Sequence, residues 1–274
     1  MRTAIMLILA IAAGCAERSS AETAKSRSLD ELVSHPTEAP ATAEPAKEAA
    51  AKPAAHPTAG PGPLEALARL SAGNARFATG RRNRSATAGD DAAERVTTAK
   101  GQHPFAAILT CADSRVPPEL LFDQSLGDLF VVRNAGNIAD PLGEGSLEYA
   151  VEHLGVRLII VLGHGSCGAV TAVATSAGQL PGHLADIQRG MPGLREFALE
   201  RGKAGPPEAV IPAAVERNAC AQAAALVQGS EALREALAAG AIAVLPANYD
   251  LASGVVGFLP PVPAPASTAH AAGH

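Results

Sequence analysis

Apolar residues fall in short unbroken blocks through the chain. FAAILT (105–110), LFVVR (129–133), RLIIVLG (157–163) and AIAVLP (241–246) are nearly uniform in this respect, and GVVGFL (254–259) follows as a shorter block. A strand with one wet face alternates apolar and polar residues, whereas an unbroken apolar strand is covered on both faces. Between the blocks, residues 142–154, 166–178, 183–200 and 215–238 carry helical patterns. Upstream, PLEALARLSAGNARFATG sets Leu64, Leu67, Leu70 and Phe77 near helical spacing and stops at Gly80. Buried strands separated by helices predict an α/β fold with a parallel sheet covered on both faces and GVVGFL at its edge.

The ends of the chain follow different patterns. After Arg2, the ten apolar residues Ala4–Ala13 are too few for a spanning helix and suit the core of a signal peptide. The run closes on IAAGC, which resembles a bacterial lipobox with Cys15 as the lipidated residue, although Ala12 stands where Leu is usual. Residues 1–15 are therefore expected to be a lipoprotein signal. A plainly cleaved signal or a retained anchor are the alternatives. Ala16 after Cys15 favours the outer membrane by the enterobacterial sorting pattern, so the expected location is exported, on the periplasmic side of a bacterial membrane, or else soluble periplasm. Residues 16–61 are Ala, Pro, Glu, Lys and Thr with few large apolar side chains, and 261–274 read similarly. Such segments bury too little surface to offset their ordering entropy and are expected to be a tether and a tail. The folded domain is then 62–260.

Composition narrows the chemistry. Aromatics are 3% of the 274 residues and Trp is absent, so the core must be aliphatic. Net charge is −5 and the sole basic cluster is Arg81, Arg82 and Arg84, which excludes a nucleic-acid footprint. Of four cysteines, Cys15 is assigned to lipid and Cys220, in NACAQAAALV, to a helical core position. Cys111 and Cys167 remain.

Both follow predicted strands: CADSR after the first, GHGSC after the third. Sites in open parallel sheets gather at carboxyl strand ends, so the two stretches are expected side by side. If 111–115 stays extended, Cys111, Asp113 and Arg115 face one way. Cys111, His164 and Cys167 form a soft, nitrogen-bearing donor set for zinc, with a fourth position left open as in catalytic sites. Two thiolates, an imidazole and Zn²⁺ sum to zero charge, so a water on the metal is less acidified than at a three-histidine site. A fixed acceptor beside that water is useful, and Asp113 braced by Arg115 supplies one. Asp113 could instead occupy the fourth position and close the site. A Cys111–Cys167 disulfide, or Cys111 as a nucleophile paired with His164, are the competing readings. The GHGSCG glycines lack the Lys-Ser/Thr of a phosphate loop.

The chain resembles the β-class carbonic anhydrases. CADSR fits that family's Cys-x-Asp-x-Arg and GHGSCG its His-x-x-Cys; GNARF, GQHPFAAIL, FVVRNAGN, SLEYAVEHLGV and YDLASGVVGFL extend the match over about 64–259. The resemblance implies a four-stranded parallel core with an antiparallel edge strand, helices on both faces and an N-terminal helical arm, in a homodimer or dimer of dimers with sites at the interface. It implies one Zn²⁺ per subunit on Cys111, His164 and Cys167, with Asp113 and Arg115 as catalytic dyad. Gln102, Phe130, Tyr149 and the backbone N–H of Gly168 would be substrate-binding. The implied reaction is reversible hydration of CO2 to bicarbonate and a proton by zinc-bound hydroxide. Hydrolysis of CS2 or COS on the same scaffold, or a non-catalytic zinc-binding lipoprotein module, are the alternatives. Ile108 stands where allosteric members carry Trp, leaving Arg133 without that partner, so the open form of the site is expected. His103, His153 and His183 lie outside the ligand pattern.

Overall fold

The computed structural model describes residues 60–83, 91–206 and 209–264. The lipobox with Cys15, nearly all of the expected tether, and His270 and His274 lie outside them. Five strands are described: β1 Ala106–Cys111, β2 Leu129–Asn134, β3 Leu158–His164, β4 Ala243–Tyr249 and β5 Val256–Phe258. They make one sheet in the order β2-β1-β3-β4-β5. The first four are mutually parallel, and β5 runs antiparallel to β4. The helices among the described residues are α1 Pro63–Ala78, α2 Asp91–Thr98, α3 Pro118–Leu121, α4 Pro141–Glu152, α5 Gly168–Thr175, α6 Leu184–Arg189, α7 Leu194–Ala204, α8 Val210–Gly229 and α9 Glu231–Ala238.

The unbroken apolar strands are buried on both faces, as their pattern requires. Ile108, Ile160, Leu162 and Leu245 point into one core with Leu70 of α1 and Phe122 after α3. Leu109, Ile159, Val161 and Val244 point into the other with Leu147 of α4, Leu226 of α8 and Leu233 of α9. Each such aliphatic side chain contributes about 1.5–3 kcal/mol of burial free energy. A third cluster, of α5, α7 and α8 residues with Ile138, surrounds Cys111 and Cys167. The α1 arm is stitched to the sheet by buried Asn74, which donates to the carbonyls of Leu121 and Gly254 and accepts from the Val256 N–H. Beside it, a methyl group at Gly73 would overlap the Phe122 carbonyl oxygen.

The structure corrects several boundaries. The span 183–200 is two helices, because Gly190, Pro192 and left-handed Gly193 (φ +70°) interrupt it. The span 215–238 breaks at Ser230, whose extended backbone ends α8 and whose Oγ accepts from the Leu233 N–H to cap α9. Cys220 is exposed, not core. The buried positions of α8 include 218, 219, 222 and 223, which leaves 220 on the outer face. At the C-terminal side the Val262 N–H donates to the Val244 carbonyl, so the chain stays on the sheet beyond residue 260.

Candidate metal centre and active site

β1 lies between β2 and β3, so the connections leaving β1 and β2 run to opposite sides. This reversal opens a crevice at the carboxyl ends of β1 and β3, the position where open α/β sheets bind ligands. Cys111 is the last residue of β1 and His164 the last of β3. Just below them Thr110 Oγ1 donates to the Leu162 carbonyl and ties the two strands together. Past His164 the chain turns through Gly165, whose N–H donates to the Tyr249 carbonyl, and Ser166, a left-handed residue at φ 53°. That turn delivers Cys167 to the N-cap of α5.

Cys111, His164 and Cys167 are all buried, and one ligand atom from each lies within 4.8 Å of the others. The two sulfurs are 3.9 Å apart and unbonded, which removes the disulfide reading. His164 Nδ1 lies 2.9 Å from the Gly165 carbonyl oxygen. A carbonyl only accepts, so Nδ1 carries the proton and Nε2 presents a lone pair. That Nε2 is fully buried and has no hydrogen-bond partner. The Cys167 thiol acting on Cys111, opposed by burial and aided by His164 and the Gly136 N–H, lowers Cys111 to about 4. The same pairing, with burial, pushes Cys167 up, although the Ala169 and Val170 N–H groups at the start of α5 pull the other way. The two sulfurs lie 3.9 Å apart, where either can donate to the other, an arrangement that a divalent cation would replace.

The donors fit zinc on this evidence. Sulfurs bound tetrahedrally at about 2.3 Å sit about 3.8 Å apart, against 3.9 Å here. The orphaned Nε2 supplies the acceptor-type nitrogen, oriented through its other ring nitrogen as metal-bound histidines are.

Asp113 and Arg115 come together differently from the expectation. The strand ends at Cys111 and the chain then turns, with the Val116 N–H donating to the Asp113 carbonyl. Asp113 Oδ1 accepts from the Arg115 backbone N–H at 3.0 Å and from Nε at 2.9 Å, while Oδ2 accepts from an η nitrogen at 2.7 Å. A turn around the aspartate, rather than period-two alternation, pairs them. Arg115 is the main reason why the Asp113 carboxyl lies well below the usual carboxylate range. Asp113 Oδ2 is 3.8 Å from His164 Nε2. Arg133 also has a use: Nε and an η nitrogen donate to the carbonyls of Cys111 and Asp113, clamping the loop.

Two neighbours of the cluster were not read from the sequence as acting on it. The Gly136 N–H donates to Cys111 Sγ at 3.4 Å. Asn134 folds the loop behind it by accepting from the Ile138 N–H and donating to its carbonyl. The turn-forming run NAGN signals a loop, but nothing local says what that loop faces.

The expected pocket residues divide. Gly168 opens α5 beside Cys167. Gln102 is exposed and precedes β1, Phe130 pairs with Ala107 early in β2, and Tyr149 lies on α4 at 47% exposure, so it is no core residue. Phe130 and Tyr149 touch, with ring centroids 6.3 Å apart. At about 3.3 Å per strand residue, the amino end of β1 lies some 15–20 Å from Cys111. Phe130, with Tyr149 against it, therefore lies toward the amino end of the strands, and Gln102 precedes β1 at that end. His183 pairs with Asp186, and His103 and His153 are exposed, so none of the three belongs to the centre.

A doubly covered α/β sheet with a buried Cys–His–Cys donor set at its switch point defines an α/β protein with a candidate soft-metal site. Comparison with known proteins specifies it further. Residues 106–256 match the family model described as carbonic anhydrase. Carbonic anhydrase 2 of Mycobacterium tuberculosis is 40% identical over 199 residues, covering 70% of this chain and 90% of that protein. A Coccomyxa β-carbonic anhydrase solved with acetazolamide superposes with a TM-score of 0.58 at 28% identity, covering 72% of this chain and 87% of the other. One of two tetrameric β-carbonic anhydrases from Sordaria macrospora gives 0.56 at 28% identity, covering 61% and 86%. The chain belongs to the carbonic anhydrase family, in its β class.

Proposed function

We propose that this chain catalyses the reversible hydration of CO2 to bicarbonate and a proton with one Zn²⁺ per subunit held by Cys111, His164 and Cys167. The observation that carries the reading is the orphaned His164 Nε2 beside two buried sulfurs, with an Arg115-clamped carboxylate 3.8 Å away. When bound, zinc would supply the Lewis acidity that makes a water proton easier to lose. The chain's own residues do the rest. Asp113 stays ionised because Arg115 grips both its oxygens, and Oδ2 is placed to accept a hydrogen bond from the attacking water and aim its lone pair at the substrate carbon. The same grip would favour the open form of the site, with Asp113 kept for Arg115 rather than the cation. The Gly168 N–H, at the start of α5 beside Cys167, would donate to the oxyanion that develops on the substrate.

The remaining pocket residues belong to a second copy in this proposal. Gln102, Phe130 and Tyr149 sit at the far end of the strands, so a homodimer, alone or paired again, would bring them over the partner's cluster. The tetrameric assembly of the Sordaria relatives supports this arrangement. The sequence supports export and lipidation at Cys15, placing the enzyme on the periplasmic side of a bacterial membrane, with the outer membrane favoured by Ala16.

Stopped-flow CO2 hydration combined with metal analysis of the purified chain tests the function. We expect one zinc per chain, a rate well above buffer, loss on chelation and recovery with Zn²⁺. Full zinc content without turnover would overturn it in favour of a non-catalytic module. COS and CS2, linear like CO2, are run in parallel, and faster turnover of either reassigns the substrate. Mass spectrometry of the native N-terminus tests lipidation; an unmodified or uncleaved Cys15 would refute it.

A further inference from the structure

Two amides are buried on the otherwise apolar face of α8. Asn218 and Gln222 lie one helical turn apart and are each 2% exposed, beside Ala214, Val215, Ala219 and Ala223. Burying amides is costly unless every group is engaged, and here two of the three outside partners, at Gly136 and Ala139, lie on one loop. Asn218 Nδ2 donates to the Gly136 carbonyl at 2.9 Å. Gln222 Nε2 donates to Asn218 Oδ1 at 3.1 Å and to the Gly190 carbonyl at 2.7 Å, while its Oε1 accepts from the Ala139 N–H at 2.9 Å. Gly136 is thus gripped from its carbonyl side, and its N–H faces the other way, toward Cys111 Sγ at 3.4 Å. Its φ of +87° suits glycine, and an added methyl would overlap Met191 Cε.

We propose that Asn218, braced by Gln222, is a positioning residue for the metal centre, fixing Gly136 so that its N–H donates to the sulfur of Cys111. The inference rests on the assignment of Cys111, His164 and Cys167 as metal ligands. A hydrogen bond to a ligating sulfur draws electron density from it, so the sulfur donates less to the cation. Where two thiolates and an imidazole already cancel a divalent charge, this leaves the cation a stronger Lewis acid. Neither amide touches the cluster itself; both act through a single backbone group.

The test replaces zinc by Co²⁺ in the full-length protein and reads the sulfur-to-cobalt charge-transfer absorption in the near ultraviolet. In Asn218→Ala the sulfur loses its donor and becomes more electron-rich, so the band is expected at longer wavelength than in the native protein. A purely structural role would lower the melting temperature and leave the band in place; that result in a folded variant overturns the proposal. If Asn218→Ala does not fold, Gln222→Ala, which leaves Asn218 present but unbraced, is read in the same way. Failure of both to fold assigns the pair to the scaffold and also overturns it. If the native protein itself forms no charge-transfer band with Co²⁺, the ligand assignment falls. A native band that does not shift in a folded variant removes only the role of Asn218.

Discussion

Asp113 and Cys111 stand two residues apart and carry separable duties. Cys111→Ser removes a thiolate donor and should abolish stoichiometric zinc. Asp113→Asn should keep zinc while turnover falls about 10²–10³-fold, the scale of losing a positioned acceptor. Metal analysis beside stopped-flow kinetics separates the two. The sign of the Asp113 shift also predicts a pH behaviour. Pairing with Arg115 lowers its pKa, so its stabilising contribution is present above the unfolded value of about 3.9 and is lost as pH falls through the lower folded value. Between pH 5 and 9 its charge is therefore constant, and Asp113→Asn should lower the pH–rate profile without moving its midpoint. The Cys–His–Cys grouping and the Asp113–Arg115 pair were legible in the sequence because each part occupies a short motif at the end of a strand. The manner of the Asp113–Arg115 pairing was not, because an extended segment and a turn begin with the same few residues.

Elements show how local signals set existence but not limits. Strand positions came through because an apolar block of strand length has few alternative uses. Helix limits in 183–200 and 215–238 did not, because Gly190–Gly193 and Ser230 act through backbone conformations that a periodic pattern passes over. At the join of α4 and α8, Glu144 packs against Gly229, and burial, followed by the charges of Glu148 and Asp140, raises its pKa above 4.5. Its folded pKa then lies above its unfolded one, so stability rises as pH falls through the range between the two. Glu144→Gln should melt higher than the native chain at pH 7, with the gap closing as the pH reaches that range. The α1 arm offers a second test. Asn74→Ala strands three buried backbone groups. The expected cost is about 3 kcal/mol, or roughly 10 °C in Tm, by calorimetry. Zinc content should be unchanged, since the arm does not reach the ligands.

On the scale of the whole molecule, the Cys–His–Cys cluster and the proposed pocket residues Phe130 and Tyr149 belong to opposite ends of the sheet, and the proposal makes them two halves of one site. If the halves meet across a dimer, co-expressing Cys111→Ser with Gln102→Leu creates heterodimers carrying one native site. Random pairing then restores about a quarter of native activity, although Gln102→Leu alone should lose about 10²-fold. If each chain completes its own site, the mixture shows only the average of the two single variants.

The sequence by itself determined the α/β class, the buried strands, the His164–Cys167 spacing and the carboxylate–guanidinium pair. Each of these depends on residues within a few positions of one another, where periodicity and chemistry act directly. That β1 and β3 are neighbours was expected from the strand-end rule, but tertiary structure decided how closely their ends bring Cys111 to His164. It also decided that Arg133 clamps the CADSR backbone, and that amides on α8 reach the Gly136 loop 82 residues away. It placed Cys220 outside and Tyr149 at the surface. These are contacts between segments distant in the chain, and no local pattern encodes them, because a side chain's partner across the fold is chosen by packing and not by spacing.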